Sequence, residues 1–522
     1  MNRVKLQKSI SAGRSVSFLI AVAAATPVFA SDTIIWARYG DIDTLDPHRS
    51  TSTLSMQVWN QIYEPLLARD SAGNIGPNLA SSYSVEADGL TVSFVLNPDI
   101  KCHDGSDFTT KDVLYTYERA FSDSNPSNTK SAWGPIDSVT ATNDLNVEFT
   151  FKTPFGAFIP FMADPFASMI CDTNATLGDS FGTTDAIGTG AWVVESWIKG
   201  DKIELSRNDS YINLGRLAEN KGAAKMKGLT IKVMPEGQAR LAALQTGEVH
   251  IAEPPLESVE ALKADPKLDL IIADNTGQDV FFEFAISRPP FNDVRARQAV
   301  AYAVDPDMAL DIVFEGLVMR EKCAVAQGVL GNDQAFCSSI GYDYNPEKAK
   351  TLLAELGYTD GKRLEVQMMT WTGGNREKLL QVFQSQLKQV GIDAKIEVMD
   401  IGSLNARVKQ ENNITEGPGS FDLMGWSWYD PDILYQLWHS PGAYEGYNSP
   451  ELDELLDLTR TTTDPEARLA VVQKVQTYLI EKAVHVPLYT PGWMWLYGIN
   501  KNIEGLKFEP FNQPIFTDIT IL

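Results

Sequence analysis

Three short segments between residues 186 and 211 decide the fold predicted for this chain. Residues 186–192 read AIGTGAW, residues 200–205 read GDKIEL, and residues 207–211 read RNDSY. Gly188 and Gly190 allow a positive φ angle or a close backbone approach in a tight turn. The alternation over 192–197 and 202–205 is typical of two short strands. An ordinary hairpin in a β-rich domain is the alternative interpretation.

The first 30 residues have the pattern of a secretory signal peptide. Four basic residues and no acid accompany an apolar run over 16–25, and Val28, Phe29 and Ala30 form a small-residue cleavage site. No cysteine follows this site, so we expect no lipid anchor there. No other apolar run approaches the roughly 20 residues that cross a bilayer. The mature protein is therefore expected to be soluble and periplasmic.

Charge and length narrow the class of protein. Removing the four basic residues of the leader changes the net charge from −24 to −28, which disfavours nucleic acid and anionic membranes as partners. At about 150 residues per domain, the remaining length indicates about three structural units.

Strands and helices alternate irregularly along the chain. The predicted strands are 34–37, 91–96, 146–151, 229–233 and 280–285. Asn345 caps and Pro346 opens a predicted helix over 347–356 that Gly357 ends, and residues 466–483 place apolar side chains on one face. This mixture favours α/β lobes over a solenoid or an all-β barrel.

Four cysteines in an exported chain indicate two disulfides, with three possible pairings. Cys323 and Cys337 bracket a loop rich in glycine, asparagine and aspartate, so we expect them to pair and to leave Cys102 with Cys171. A zinc site is the alternative, but the cysteines lack its close CxxC spacing.

A series of further motifs resembles the N-terminal lobe of family 5 extracellular solute-binding proteins, the peptide, opine and nickel receptors of ABC importers. These motifs are LDP at 45–47, IYEPL at 62–66, PNLA at 77–80, DGLTVSF at 88–94 and HDGSDFTTKDV at 103–113. The resemblance continues through 240–248, 290–295 and 421–431, and so covers nearly all of the mature chain.

The resemblance implies an α/β, two-lobed periplasmic binding protein of type II, similar to the large peptide-binding proteins, with an extra subdomain in lobe I. The expected divisions are lobe I at 31–275 plus 490–522, an extra subdomain at about 70–185, and lobe II at 276–489. The expected crossings between the lobes lie near 275–281 and near 487–493.

The resemblance also implies a function. It is that of the periplasmic substrate-binding component of an ABC importer, which captures a peptide-like, opine or sugar-conjugate solute between its lobes and delivers it to a membrane permease and its ATPase. Two lobes close around a solute that contacts both of them. We expect a monomer without a cofactor. A dipeptide or oligopeptide receptor proper is the alternative.

Two tryptophan-containing loops are the main candidates for the ligand site. In residues 425–432 (GWSWYDPD), peptide-binding relatives carry a slightly longer loop whose aspartate holds the peptide amino terminus, and Trp428 falls near that aspartate. Where dipeptide binders place an arginine for the carboxylate, this chain has Thr370. Both departures argue against a free dipeptide and favour a ligand with apolar or sugar faces, stacked on Trp371, Trp426 and Trp428. Packing of these tryptophans in the core is the alternative.

Neighbouring side chains complete the predicted site. Tyr429 lies in the same loop as Trp428. Asp430 and Asp432 either hold hydroxyls or an amine of the ligand, or cap the helix predicted over 433–438.

The segment after the first strand offers further candidates, namely Arg38, Tyr39 and His48. For His48 the alternative is a merely solvated loop histidine.

An enzyme is the rival class, for instance a secreted hydrolase. The run Cys102, His103, Asp104 contains nucleophile-like residues, but adjacent side chains cannot form a line of nucleophile, base and orienting group. No HExxH or GxxxxGK motif is present, and the remaining histidines are far apart in the sequence. We therefore expect neither catalysis nor a metal site.

Overall fold

The computed structural model describes residues 32–70, 73–123, 127–215, 219–272, 277–400, 403–404, 406–408, 417–440, 447–490, 496–509 and 513–522. The predicted signal peptide at 1–30 lies outside these ranges. No helix within them combines the length and the apolar character that a bilayer span requires.

The described strands are β1 Thr33–Arg38, β2 Leu67–Arg69, β3 Ile75–Pro77, β4 Ala80–Val85, β5 Thr91–Leu96, β6 Ile136–Asn143, β7 Asn146–Phe151, β8 Trp192–Ile198, β9 Lys202–Arg207, β10 Gly228–Val233, β11 Ile251–Ala252, β12 Leu268–Ile272, β13 Gln278–Phe284, β14 Met319–Arg320, β15 Leu364–Trp371, β16 Ile392–Met399, β17 Gly419–Ser427, β18 His485–Thr490, β19 Leu496–Asn500, β20 Ile503–Glu504, β21 Lys507–Phe508, β22 Pro514–Ile515 and β23 Thr520–Ile521.

The described α-helices are α1 Thr53–Ile62, α2 Thr110–Ala120, α3 Phe158–Phe161, α4 Gly237–Thr246, α5 Val259–Ala264, α6 Val294–Ala303, α7 Pro306–Phe314, α8 Gln334–Ile340, α9 Pro346–Glu355, α10 Arg376–Val390, α11 Ile433–Trp438, α12 Pro450–Thr461 and α13 Pro465–Glu481.

Two large sheets organise the molecule. A seven-stranded sheet has the order β12-β19-β11-β1-β10-β9-β8, and a six-stranded sheet has the order β14-β18-β13-β17-β15-β16. We call the part of the chain around the first sheet lobe I and the part around the second lobe II. Helices pack against both sheets, as the predicted α/β class requires, and the two-lobed fold is confirmed.

The chain passes between the two sheets twice. β12 of lobe I is followed by β13 of lobe II, and β18 of lobe II is followed by β19 of lobe I. Most residues of these connections, 273–276 and 491–495, lie outside the described ranges. The sheet membership supports the predicted lobe boundaries, which stay predictions.

A separate four-stranded sheet, β4-β5-β7-β6, lies in lobe I between β3 and β8. Alternate residues of β5 and β7 are buried, so one face of this sheet packs on the core, where Phe94 and Phe149 meet edge to face at 5.8 Å. Helix α2 begins with a capping box between Thr109 and Asp112, which satisfies amide groups at its first turn. This sheet falls within the predicted extra subdomain.

The signature segment at 186–192 packs directly on the end of α1. A Cβ atom on Gly188 would lie 2.1 Å from Ile62 O, and one on Gly190 would lie 2.5 Å from Gln61 O. The amide of Gly190 donates to Ile62 O at 2.8 Å, and His103 Nε2 lies 3.0 Å from Gly190 O. Close backbone approach, and not a positive φ angle, is therefore the reason for both glycines.

Both predicted disulfides are confirmed. Cys102 pairs with Cys171 across 69 residues, and Cys323 pairs with Cys337 across 14 residues. The first joins the loop before α2 to the segment after α3, inside lobe I. The second closes a loop in lobe II that leads into α8.

Candidate functional site

Some of the predicted ligand residues lie at strand ends of the two large sheets. In lobe I, β1 and β11 run parallel, so Tyr39 and Glu253, which follow them, lie at the same edge of the sheet. In lobe II, β15 and β17 run parallel, which places Trp371 and Trp428 at one edge. Carboxyl ends of strands are the usual ligand edge of α/β sheets.

Aromatic side chains of the two lobes touch across this gap. Trp428 of lobe II stacks on Phe166 of lobe I, with ring centroids 5.3 Å apart and planes 24° apart. The guanidinium of Arg69 in lobe I lies 5.7 Å from the ring centroid of Tyr429. Trp428 is half-buried and Tyr429 buried, so the lobes are in contact at the loop that the sequence singled out.

A sharp turn after β15 supplies a cation that the sequence interpretation missed. Gly373, Gly374 and Asn375 have φ angles of 100°, 60° and 56°, and this left-handed run folds Arg376 back over Trp371. The guanidinium carbon of Arg376 lies 3.7 Å from the Trp371 ring centroid, the geometry of a cation–π contact. Position 370, where dipeptide binders have an arginine, holds a threonine in this chain, and Arg376 is the first residue of α10.

Tyr39 directly follows β1 in lobe I. Its surface is 42% exposed, yet burial raises its pKa, Glu253 adds to this rise, and Arg38 and Arg376 oppose it. Charged groups of both lobes therefore act on Tyr39, because Arg38 and Glu253 belong to lobe I and Arg376 belongs to lobe II. Burial lowers the pKa of Arg376, and Tyr39 opposes that change.

A second set of contacts joins the lobes away from the tryptophans. Arg460 of lobe II donates to Ser131 O at 3.3 Å, and its carbonyl accepts from Gly156 N at 2.6 Å. Ser131 Oγ also donates to Gln436 Oε1. A Cβ atom on Gly156 would lie 2.2 Å from Thr462 O. Residues 131 and 156 of lobe I therefore contact lobe II directly.

The structure gives both aspartates of the loop partners within the protein. Asp430 binds the two terminal nitrogens of Arg468 at 2.5 and 2.8 Å, and Asp432 binds Arg460 Nε and Nη2 at 2.7 Å each. Asp432 occupies the N-cap position of α11 but makes no capping hydrogen bond there. The prediction that Asp432 caps this helix is thus wrong. A ligand contact for Asp430 stays a prediction, and the ion pair of Asp430 with Arg468 argues against it.

Three other predicted residues are enclosed by the protein. His48 is 1% exposed, and its Nε2 lies 3.2 Å from Ser168 O, so a solvated histidine is wrong; burial lowers its pKa to about 4. Thr370 is fully buried. Arg38 is also buried and donates to Leu54 O at 2.8 Å and to Gln57 Oε1 at 2.7 Å. The side chains of all three residues are therefore enclosed by the protein.

Trp426 and Trp428 line one small space of about 270 Å³ that is partly open to solvent. Asp279 and His485 also line this space, and their Oδ2 and Nε2 atoms are 2.6 Å apart. A larger space of about 450 Å³ lies elsewhere in lobe II, and no predicted ligand residue lines it. All residues that line the smaller space belong to lobe II, and a ligand site at these tryptophans stays a prediction.

One further sequence pattern is typical of the rival class, a secreted hydrolase. Residues 178–182 read GDSFG, which matches the GxSxG nucleophile motif of hydrolases. That motif places its serine on a strand-to-helix turn, whereas Gly178–Ser180 form a 3₁₀ turn and Ser180 Oγ donates to Leu177 O at 3.0 Å. Ser180 therefore does not have the strand-to-helix turn that a hydrolase nucleophile of this motif requires.

The potential metal ligands that the described ranges bring together are Cys102, Asp112 and Cys171. Their two sulfur atoms are bonded to each other, and a disulfide offers no thiolate to a metal ion.

Two α/β lobes built on separate sheets, with the chain crossing between them twice, are the fold of a two-lobed solute-binding protein. A family model described as bacterial extracellular solute-binding proteins, family 5 middle, matches residues 74–447. The chain belongs to this family.

Relatives cover almost the whole chain. The glutathione-binding protein GsiB of Salmonella paratyphi A is 28% identical over 514 residues, which are 95% of this chain and 96% of the relative. The dipeptide binding protein of Pseudoalteromonas sp. SM9913, solved with Met-Leu, has a TM-score of 0.81 at 20% identity and covers 94% of this chain and 100% of its own. MoaA of A. tumefaciens, solved with mannopinic acid, has a TM-score of 0.79 at 22% identity, with 94% and 100% covered. Both structures share the two-lobed fold.

Proposed function

We propose that this protein is the periplasmic substrate-binding component of an ABC importer and captures a peptide-like, opine or sugar-conjugate solute between its lobes. The observation that carries the proposal is the contact between the lobes in which Trp428 of lobe II stacks on Phe166 of lobe I. A solute held between these groups touches both lobes and so stabilises the closed form. A membrane permease and its ATPase then receive the closed, loaded protein.

The rest of the proposal concerns where and how the protein works. Residues 1–30 direct export and are removed, and the mature protein acts in the periplasm as a monomer. It binds its solute without changing it, needs no cofactor, and has no nucleic-acid partner. Membership of a solute-binding family supports binding over catalysis.

The second candidate function is that of a dipeptide or oligopeptide receptor proper, and Arg376 is the residue that favours it. The guanidinium stacked on Trp371 places a positive charge beside the ring, and a positive charge attracts a carboxylate. The absence of an arginine at position 370 is therefore not an argument against a peptide carboxylate. The relatives named for glutathione, Met-Leu and mannopinic acid all concern solutes that carry carboxylates.

Native mass spectrometry of protein purified from its own envelope tests the proposed function. We expect a retained small molecule with a stoichiometry of one, and saturable changes in tryptophan fluorescence when this molecule is added back. Consumption of the molecule would indicate a hydrolase instead. Absence of any saturable small-molecule binding would contradict the proposal.

The substitution Trp428→Ala is expected to weaken binding of the retained solute by about 1–3 kcal/mol, because it removes a half-buried indole that closes the cleft. Isothermal titration calorimetry measures this loss. Phe166→Ala should weaken binding as well, and the double variant should lose less than the sum of the two, since the rings contact each other. Tyr344→Ala, at an exposed ring, is the control. Unchanged affinity in Trp428→Ala would remove Trp428 from the site.

A further inference from the structure

Gly156 of lobe I lies directly against lobe II. A Cβ atom at this position would lie 2.2 Å from Thr462 O and 3.4 Å from Arg468 Cδ. Apart from the chain neighbours of Gly156, the atoms nearest to that Cβ position all belong to these two residues of lobe II. The φ angle of Gly156 is not positive, so the backbone conformation itself does not require glycine. Glycine is required here because lobe II approaches so closely.

The amide of Gly156 also completes the end of a helix in the other lobe. Helix α12 ends at Thr461, and the last four carbonyls of an α-helix have no partner within the helix. Gly156 N donates to one of these carbonyls, Arg460 O, at 2.6 Å. A donor of lobe I therefore satisfies the helix end of lobe II.

The side chain of Arg460 adds a second contact between the lobes. Within lobe II, both carboxylate oxygens of Asp432 bind this guanidinium at 2.7 Å, and its central carbon lies 3.3 Å from the ring centroid of Tyr435. From this position Nη2 donates to Ser131 O of lobe I at 3.3 Å. The central carbon also lies 5.3 Å from the ring centroid of Phe155. Lobe II thus holds Arg460 ready for its contacts with lobe I.

These contacts form one surface, which we call the latch. It consists of residues 131, 155 and 156 of lobe I and residues 436, 460 and 462 of lobe II, and it includes the hydrogen bond from Ser131 Oγ to Gln436 Oε1. No predicted ligand residue belongs to the latch. Because all its groups are protein groups, the latch favours contact between the lobes whether or not a solute is bound.

We propose that the latch holds the two lobes together without the solute, so that part of the solute-free protein is already closed, and that Gly156 is the positioning residue that permits this closure. The inference rests on the proposed function and adds a control of affinity to it. The apparent affinity for any solute scales with the fraction of protein that is competent to bind. The latch therefore sets how tightly the protein binds and does not choose among solutes.

Small-angle X-ray scattering of the solute-free mature chain, unfolded in urea and refolded to remove any retained molecule, tests the latch directly. Gly156→Ala places a methyl group against Thr462 O, so we expect a larger radius of gyration than in the wild type. Gly76→Ala is the matched control, because an added Cβ there would meet nothing within 4 Å, and its radius should equal that of the wild type. Equal radii for Gly156→Ala and the wild type would overturn the inference.

Calorimetric titration with glutathione, Met-Leu and mannopinic acid measures the effect on affinity. For every probe that the wild type binds, Gly156→Ala should weaken binding by the same factor, about 10- to 100-fold, the range for a methyl group forced into a packed contact. Ser131→Ala, which removes the hydroxyl contact with Gln436, should weaken binding about two- to tenfold. Unchanged affinity in Gly156→Ala, or different factors for two bound probes, would contradict the inference. If the wild type binds none of the three, the scattering result decides.

Unfolding separates the latch from the fold. The atoms that the added methyl group would meet belong to lobe II, so each lobe keeps its own packing, and solute-free Gly156→Ala should unfold at nearly the same urea concentration as Gly76→Ala. A clearly lower midpoint would assign Gly156 to the fold alone and contradict its role in positioning the lobes. Any of these contrary results leaves the proposed function intact if native mass spectrometry still finds a retained solute. Failure of the proposed function is distinct, because then no small molecule binds saturably at all.

Discussion

Replacing Asp430 with alanine is expected to lower the free energy of unfolding by about 3–5 kcal/mol, because it leaves the buried guanidinium of Arg468 without its ion-pair partner. Only 7% of the Asp430 side chain and 4% of the Arg468 side chain are exposed. Arg468, which lies in α13, also donates to Thr459 O in α12 at 2.9 Å. The pair therefore connects the loop at 425–432 to both helices. Urea denaturation of the mature chain measures the loss.

Two comparisons isolate the buried pair. Replacing both partners, with Asp430→Leu and Arg468→Met, should recover most of the lost stability, because no buried charge then remains unpaired. Glu347→Ala breaks an exposed pair with Lys350 and should cost no more than about 1 kcal/mol. If Asp430→Ala abolished solute binding and left the unfolding curve unchanged, Asp430 would be a ligand contact, as the sequence suggested.

Removing the Cys102–Cys171 disulfide by alanine substitution at both positions is expected to cost about 4 kcal/mol of folding free energy, and removing Cys323–Cys337 about 3 kcal/mol. The difference follows from the closed loops of 69 and 14 residues, since the longer loop restricts the unfolded chain more.

Chemical denaturation of the two double variants under identical conditions measures this difference. A control with dithiothreitol on the wild type should approach the combined loss. A larger loss from the shorter loop would show that chain entropy does not govern these cross-links.

Local structure was predictable where short-range chemistry decides it. Residues 91–96 and 146–151 alternate in character and form β5 and β7 with the predicted bounds. The predicted helix at 347–356 becomes α9, in which the side chain of Asn345 accepts from Lys348 N and Pro346 occupies the first turn. A cap, a helix-opening proline and a terminating glycine act within a few residues, so one sequence suffices to place them.

The site was predictable only in part, because burial and partner choice depend on contacts far apart in the chain. The sequence around Asp430 does not predict its ion pair with Arg468, which lies 38 positions further on. His48 is buried because Ser168, 120 positions away, packs against it. Arg376 reaches Trp371 only through three successive left-handed residues, of which the glycine pair was the visible signal.

The central claim is that the two lobes close on a solute which touches both of them. Small-angle X-ray scattering of the mature chain, with and without a saturating amount of the solute retained in native mass spectrometry, tests it most directly. The account predicts a smaller radius of gyration in the loaded protein, as the contacts between Trp428 and Phe166 and between Arg460 and Ser131 form. An identical radius of gyration at full saturation would contradict it.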